Sequence, residues 1–154
     1  MRISEFLVTD AINLDLKSTG KRDVLMELLQ PLQKAGKLAD AKKMVDVLME
    51  REELGSTGIG GRIAIPHGKA PQVKELAAIL GISKAGVAFD ALDGEPVNLF
   101  IALVAPEGSA GIHLKALARI SSLLKDKAFK KSLLAAPSQE DVLKLIHAEE
   151  QSQG

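Results

Sequence analysis

The sequence holds no cysteine, tryptophan or tyrosine and only four phenylalanines. Without cysteine there is no disulfide framework, no thiolate nucleophile and no cysteine-ligated metal centre. So small an aromatic content leaves little to stack on nucleobases or sugar rings. Charge of one sign is not in excess either, since 20 lysines and arginines balance 20 aspartates and glutamates. A phosphate-backbone binder would carry a basic surplus and a solvating tail an acidic one, so no nucleic-acid partner is expected. No stretch nears the ~20 uninterrupted apolar residues of a membrane span. The first ten residues interleave Arg2, Glu5 and Asp10 with apolar ones, where a signal peptide would run continuously apolar. Direct membrane insertion is therefore not expected, and the cytoplasm is the expected compartment. Internal repeats and low-complexity linkers are also missing.

What is present suits one domain: 154 residues, 46% of them hydrophobic. Helical and extended patterns alternate along the chain, which points to an α/β fold. Residues 11–16 alternate apolar and polar and are expected to form a half-buried strand. Val24, Leu25, Leu28, Leu29 and Leu32 predict an amphipathic helix over 21–35, stopped at Gly36. Asp40 is placed to cap a second helix over about 41–53, with Met44, Val45 and Leu48 inward. Gly55 to Gly61 reads as loop and Arg62 to Ile65 as a short strand closed by Pro66. That puts His67 and Gly68 just past a strand end. Residues 76–83 and 97–104 are short apolar runs, expected as interior strands. Between them, Val87 and Phe89 suggest a minor strand and Asp93-Gly94 a turn. Leu114, Leu117, Ile120, Leu123 and Leu124 predict a helix from about 113. Asp126 and Ser138 are placed to start two more, and 149–154 is expected to fray.

The segment with chemistry in it is Ser56-Thr57-Gly58-Ile59-Gly60-Gly61-Arg62-Ile63-Ala64-Ile65-Pro66-His67-Gly68. Glycines permit close backbone approach to a ligand, and exposed N–H groups in such a loop can cradle an anion. No Gly-Lys-Ser/Thr follows the glycines, and no third glycine stands at 63, so this is neither a Walker loop nor a dinucleotide fingerprint. The histidine after the strand suits phosphoryl transfer. With an ordinary pKa of about 6.5, its neutral ring offers a lone pair at cellular pH, and the resulting P–N bond is labile enough to pass the group on. The protein then has to position the group and neutralise its oxygens. The hydroxyls of Ser56 and Thr57 and a nearby cation are the candidates for that work.

The run Gly-Ser-Thr-Gly-Ile-Gly-Gly-Arg-Ile-Ala-Ile-Pro-His-Gly resembles the phosphorylation-site signature of the fructose/mannitol class of enzyme IIA, from the bacterial phosphoenolpyruvate-dependent phosphotransferase system. Met49-Glu50-Arg51-Glu52 ahead of it and Ile112-His113-Leu114-Lys115 after the last apolar strand are similar to that family too, in the same order. The likeness runs from Ile12 to about Ile146. Gly86 to Val97 is closest to the nitrogen-regulatory branch. The resemblance implies a mixed β-sheet of about five strands flanked by helices in a single domain. It implies His67 as the phosphorylated residue, His113 as a second histidine steadying the ring or the phosphoryl group, and Arg51 as a phosphate-binding cation. Ser56 and Thr57 are weaker phosphate-binding candidates. The implied donor is a histidine phosphocarrier protein. The implied output is regulation of nitrogen- or ion-related targets, such as transporters or kinases, through phosphorylation state. A sugar-specific carrier feeding a transporter module and a non-catalytic interaction module are the alternatives. No cofactor and no metal are expected: the histidine spacings match no local zinc motif, and a Gly-x-Ser-x-Gly hydrolase elbow is missing.

Overall fold

The computed structural model describes residues 1–153. Two 3-10 turns, Ile3–Glu5 and Thr9–Ala11, lead into helix α1 (Lys21–Lys34) and helix α2 (Ala41–Glu53). Five strands follow, β1 (Gly58–Gly60), β2 (Ile63–Ala64), β3 (His67–Ala70), β4 (Ala77–Val87) and β5 (Val97–Pro106). Helices α3 (Ala110–Leu123), α4 (Lys127–Leu134) and α5 (Gln139–Ser152) complete the chain. The expected mixed α/β architecture is therefore present.

Strand β5 is the organising element. It pairs antiparallel with β4 on one side and parallel with both β2 and β3 on the other. β2 lies beside Leu99 and Phe100, and β3 beside Leu103 to Pro106, so the two are halves of one extended run interrupted at Ile65-Pro66. Pro66 has no N–H to give the ladder, but its carbonyl accepts from Leu103 N at 2.8 Å. The expected strand thus does not end at Pro66. It resumes at His67, which opens β3.

Side-chain alternation sends the two faces of this sheet into separate cores. Ala64, Ala70, Ile79, Phe100 and Ala102 pack against α1 and α2. Ile63, Ile65, Leu80, Leu99, Ile101 and Leu103 pack against α3, α4 and α5. The capping readings hold. Asp40 accepts from Lys43 N, Asp126 from Ala128 N and Phe129 N, and Ser138 from Asp141 N.

Several expectations need correction. Residues 11–16 are not a strand: after the Thr9–Ala11 turn they meet β4 at a single bridge, Asn13 with Gly81, and at Leu16 N, which donates to Ile82 O at 2.8 Å. The Asn13 side chain accepts from Asp15 N at 2.9 Å, a local turn that competes with a continuous ladder. The glycine-rich loop contains β1, joined to β2 by a hairpin whose two turn residues, Gly61 and Arg62, have φ of 62° and 66°. Phe89 lies outside any strand yet is wholly buried. Helix α3 starts at Ala110 rather than near 113. Helix α5 runs through Ser152, across most of the 149–154 segment expected to fray; Gly154 lies outside the described residues. The reason is Glu150, whose side chain is buried and accepts from the backbone N–H of Ile3 at 2.6 Å.

Two packing features position α2. Gly68 is the first: a Cβ there would stand 3.0 Å from Val47 Cγ1 and 3.2 Å from Leu48 Cδ2, so α2 lies directly on the β3 backbone. The second is Glu52, whose side chain is 2% exposed. It accepts from the Thr57 hydroxyl and from Thr57 N at 3.1 Å, and it pairs with Lys21 Nζ at 3.0 Å. That lysine also lies 4.7 Å from the centre of the Phe89 ring. One carboxylate thereby ties the start of α1, the end of α2 and the glycine-rich segment together.

Glu52→Ala removes the buried acceptor of Thr57 and the nearer carboxylate of Lys21, which keeps only Asp90 at 3.7 Å, and is expected to cost about 3 kcal/mol of folding stability, read from urea denaturation. Gly68→Ala is expected to cost about 1–3 kcal/mol in the same assay, by pressing a methyl group against Val47 and Leu48.

Candidate active site

Among the described residues β3 is hydrogen-bonded in the sheet to β5 alone, which leaves its other edge free. Gly68 and Ala70 face α2, and His67 and Lys69 face the α3 side by alternation. A cleft of about 610 Å³ runs along this edge, lined by Val47, Glu50, Arg51, Glu53 and Leu54 of the α2 end, by His67, Gly68 and Lys69, and by His113. Helices from opposite faces of the sheet therefore meet at one short strand.

The half-buried ring of His67 is fixed by its own backbone. Nδ1 lies 2.7 Å from the Ile65 carbonyl oxygen. A carbonyl can only accept, so Nδ1 carries the proton and Nε2 keeps its lone pair. Burial lowers the His67 pKa below the ordinary histidine range. The Ile65 hydrogen bond works against this, the Arg51 charge lowers it further and the Glu52 charge raises it. The neutral ring is the resting form at neutral pH.

His113, in the first turns of α3, is the second imidazole. Its ring centre lies 5.4 Å from that of His67, the planes inclined at 60°. It is buried, and its Nε2 has no hydrogen-bond partner among the described residues. Burial, with the His67 and Lys69 charges, pushes its pKa down to about 4. A buried polar nitrogen left unpaired costs about 1–3 kcal/mol, a cost that a ligand oxygen would remove.

Arg51 sits in the last turn of α2, half-buried, with Nη1 donating to the Gly55 carbonyl at 2.9 Å. The structure thus brings His67, His113 and Arg51 around one cleft. It does not bring Ser56 or Thr57 there. Thr57 is 4% exposed and its hydroxyl is taken by Glu52. The Ser56 hydroxyl donates to Phe89 O at 2.8 Å and accepts from Gly58 N. Both shape the loop and leave the phosphate-binding expectation without support.

Four contributors, one cation and three apolar residues, escaped the sequence reading. Lys69 lines the cleft, and strand alternation from His67 would have placed it there had β3 been recognised. Leu54, 85% exposed at the cleft, and Ile112 and Leu114, on either side of His113, are exposed apolar residues that only the fold distinguishes from core. Among the described residues there is no cluster of metal-ligating side chains, and no helix is long and apolar enough to cross a membrane.

Comparison with known proteins bears on this geometry. The family model of the phosphoenolpyruvate-dependent sugar phosphotransferase system, EIIA 2, matches residues 5–149. The chain is 40% identical over 147 residues to the PTS system fructose-specific EIIABC component of Bacillus subtilis (strain 168), covering 96% of this chain but 23% of that protein. It is 38% identical over 138 residues to a nitrogen regulatory protein of Bradyrhizobium diazoefficiens, covering 88% of each. Its fold is similar to that of the nitrogen regulatory protein IIA-Ntr from Neisseria meningitidis, with a TM-score of 0.86, 33% identity and coverage of 94% and 98% of the two chains. The chain belongs to the EIIA 2 family of the phosphoenolpyruvate-dependent sugar phosphotransferase system.

Proposed function

We propose that this protein accepts a phosphoryl group on Nε2 of His67 from a histidine phosphocarrier protein and signals through the phosphorylated state to regulatory targets. The observation that carries the reading is the Nδ1 contact with Ile65 O, which leaves Nε2 as the nucleophile beside Arg51 and an unpartnered His113.

In the transfer, the Nε2 lone pair forms a bond to phosphorus as the P–N bond to the donor's imidazole breaks. The electron pair of that bond returns to the donor ring. The proton on Nδ1 stays where it is, and the Ile65 carbonyl stabilises the positive charge the His67 ring acquires. Arg51 neutralises phosphoryl oxygens with a planar guanidinium suited to paired acceptors. His113, neutral with one ring N–H, donates to another oxygen. The exposed Leu54, Ile112 and Leu114 offer apolar contact for a protein donor around the cleft. About two negative charges added at this surface are enough to make or break contacts with a partner.

The regulatory output is supported by the similarity to nitrogen regulatory proteins and by the segment Gly86 to Val97. A sugar-specific role is favoured by the 40% identity to the fructose-specific component. Offering the phosphorylated protein to a cysteine-bearing sugar-transporter module separates the two: transfer to the cysteine supports the sugar role, and retention supports the regulatory one.

Incubation with phosphoenolpyruvate, the first enzyme of the relay and its carrier should add the mass of one phosphoryl group, mapped to His67. His67→Ala should take none. Labelling that persists elsewhere, or no labelling of the wild type, overturns the proposal.

A pH signature is also expected. His113 titrates near 4 when folded and near about 6.5 when unfolded, so between these values the unfolded chain binds more protons. Folding stability should therefore fall as pH drops from about 6.5 to about 4. NMR titration should place the His113 midpoint near 4 and that of His67 below the ordinary range, and His113→Gln should flatten the acid fall of the urea midpoint.

A further inference from the structure

Two cations line the cleft, and they differ in how they are held. Arg51 comes from the α2 side and already donates to a carbonyl. Lys69 stands on β3 two residues after His67, so the two side chains leave the strand on the same face, towards α3. It is exposed, and no carboxylate among the described residues lies within ion-pairing distance of its ammonium. Glu50 and Glu53 line the same cleft without engaging it. Its charge nevertheless reaches the site, since it opposes protonation of His113. An unpaired ammonium beside two histidines offers nothing to the resting protein. It gains a partner when a dianion arrives between them.

We propose that Lys69 binds the phosphoryl group once His67 carries it. Its ammonium pairs with a non-bridging oxygen from the α3 side of the cleft while Arg51 approaches from the α2 side. Lys69 thereby sets how strongly the protein holds the group against its donor. The inference rests on His67 being the acceptor. Lys69 stays protonated throughout: one P–N bond breaks on the donor, one forms at Nε2, and no proton moves.

The role has a thermodynamic signature that donor docking lacks. A residue that only helps the donor dock changes the forward and reverse rates together and leaves the equilibrium between carrier and acceptor where it was. A residue that binds the attached phosphoryl group moves that equilibrium, because it favours the phosphorylated state alone. The experiment is to mix phosphorylated carrier with wild-type protein, Lys69→Gln and Lys69→Arg, and to measure the phosphoryl distribution at equilibrium by ³¹P NMR. Lys69→Gln should shift it towards the carrier by about tenfold or more, and Lys69→Arg should stay within about threefold of wild type. The NMR midpoint of His113 in unphosphorylated Lys69→Gln should rise, which shows that the variant is folded and that the cation was near. A risen His113 midpoint with an unchanged phosphoryl equilibrium overturns the proposal while leaving the His67 reading intact. Failure of the wild type to take phosphate on His67 removes that reading and this inference together, and the wild-type arm alone reveals it.

Discussion

The site depends on helix α2 lying against the backbone of a strand that has a free edge. Gly68 makes this contact possible, because any side chain there would meet Val47 and Leu48. The close approach brings the last turn of α2, and with it Arg51, to the height of His67. The parallel pairing of β3 with β5 does the rest. It turns His67 and Lys69 towards α3, whose first turns carry His113. Groups from three distant parts of the sequence thus converge on a strand of four residues, and no loop has to reorganise to assemble them.

The electrostatics follow from how unequally these groups are solvated. Desolvation keeps both imidazoles neutral at neutral pH, so the nucleophile is ready without a separate base and the neighbouring ring can act as a neutral donor. Neutral rings also let two histidines stand 5.4 Å apart without repulsion. The strongest buried charge nearby, that of Glu52, is compensated by Lys21 and Thr57. It ties the surrounding elements together, and its charge is still felt at His67, where it opposes that of Arg51.

Much of this was legible in the chain. The alternation of helical and apolar segments gave the fold class. Asp40, Asp126 and Ser138 announced three helix starts through local chemistry, and local chemistry is what a sequence displays. His67 stood out because Pro66 and Gly68 flank it after a stiff apolar run. What stayed hidden was decided by contacts distant in sequence. Ser56 and Thr57 look alike whether a hydroxyl faces a cleft or a carboxylate, and Glu52 settled that for Thr57. Glu150 reads as one more solvated charge near a terminus, because the amide of Ile3 that it binds leaves no mark in the sequence. The β1–β2 hairpin escaped because Gly61-Arg62 turns the chain without the usual asparagine or aspartate before glycine. His113 entered only through resemblance, since nothing in its neighbourhood says which face of the sheet α3 will cover.

Arg51 and Glu52 are consecutive residues with opposite duties, one turned to the cleft and the other into the protein. Successive residues on a helix point about 100° apart. One residue inserted ahead of Glu50 in the last turns of α2 would rotate the pair about the helix axis by that step, carrying the guanidinium into the place of Glu52, against Lys21, and bringing Glu50 to the place of Arg51 opposite the histidines. The register of that helix, counted from its contact with Gly68, is therefore as much a determinant of the site's polarity as the identity of any residue in it.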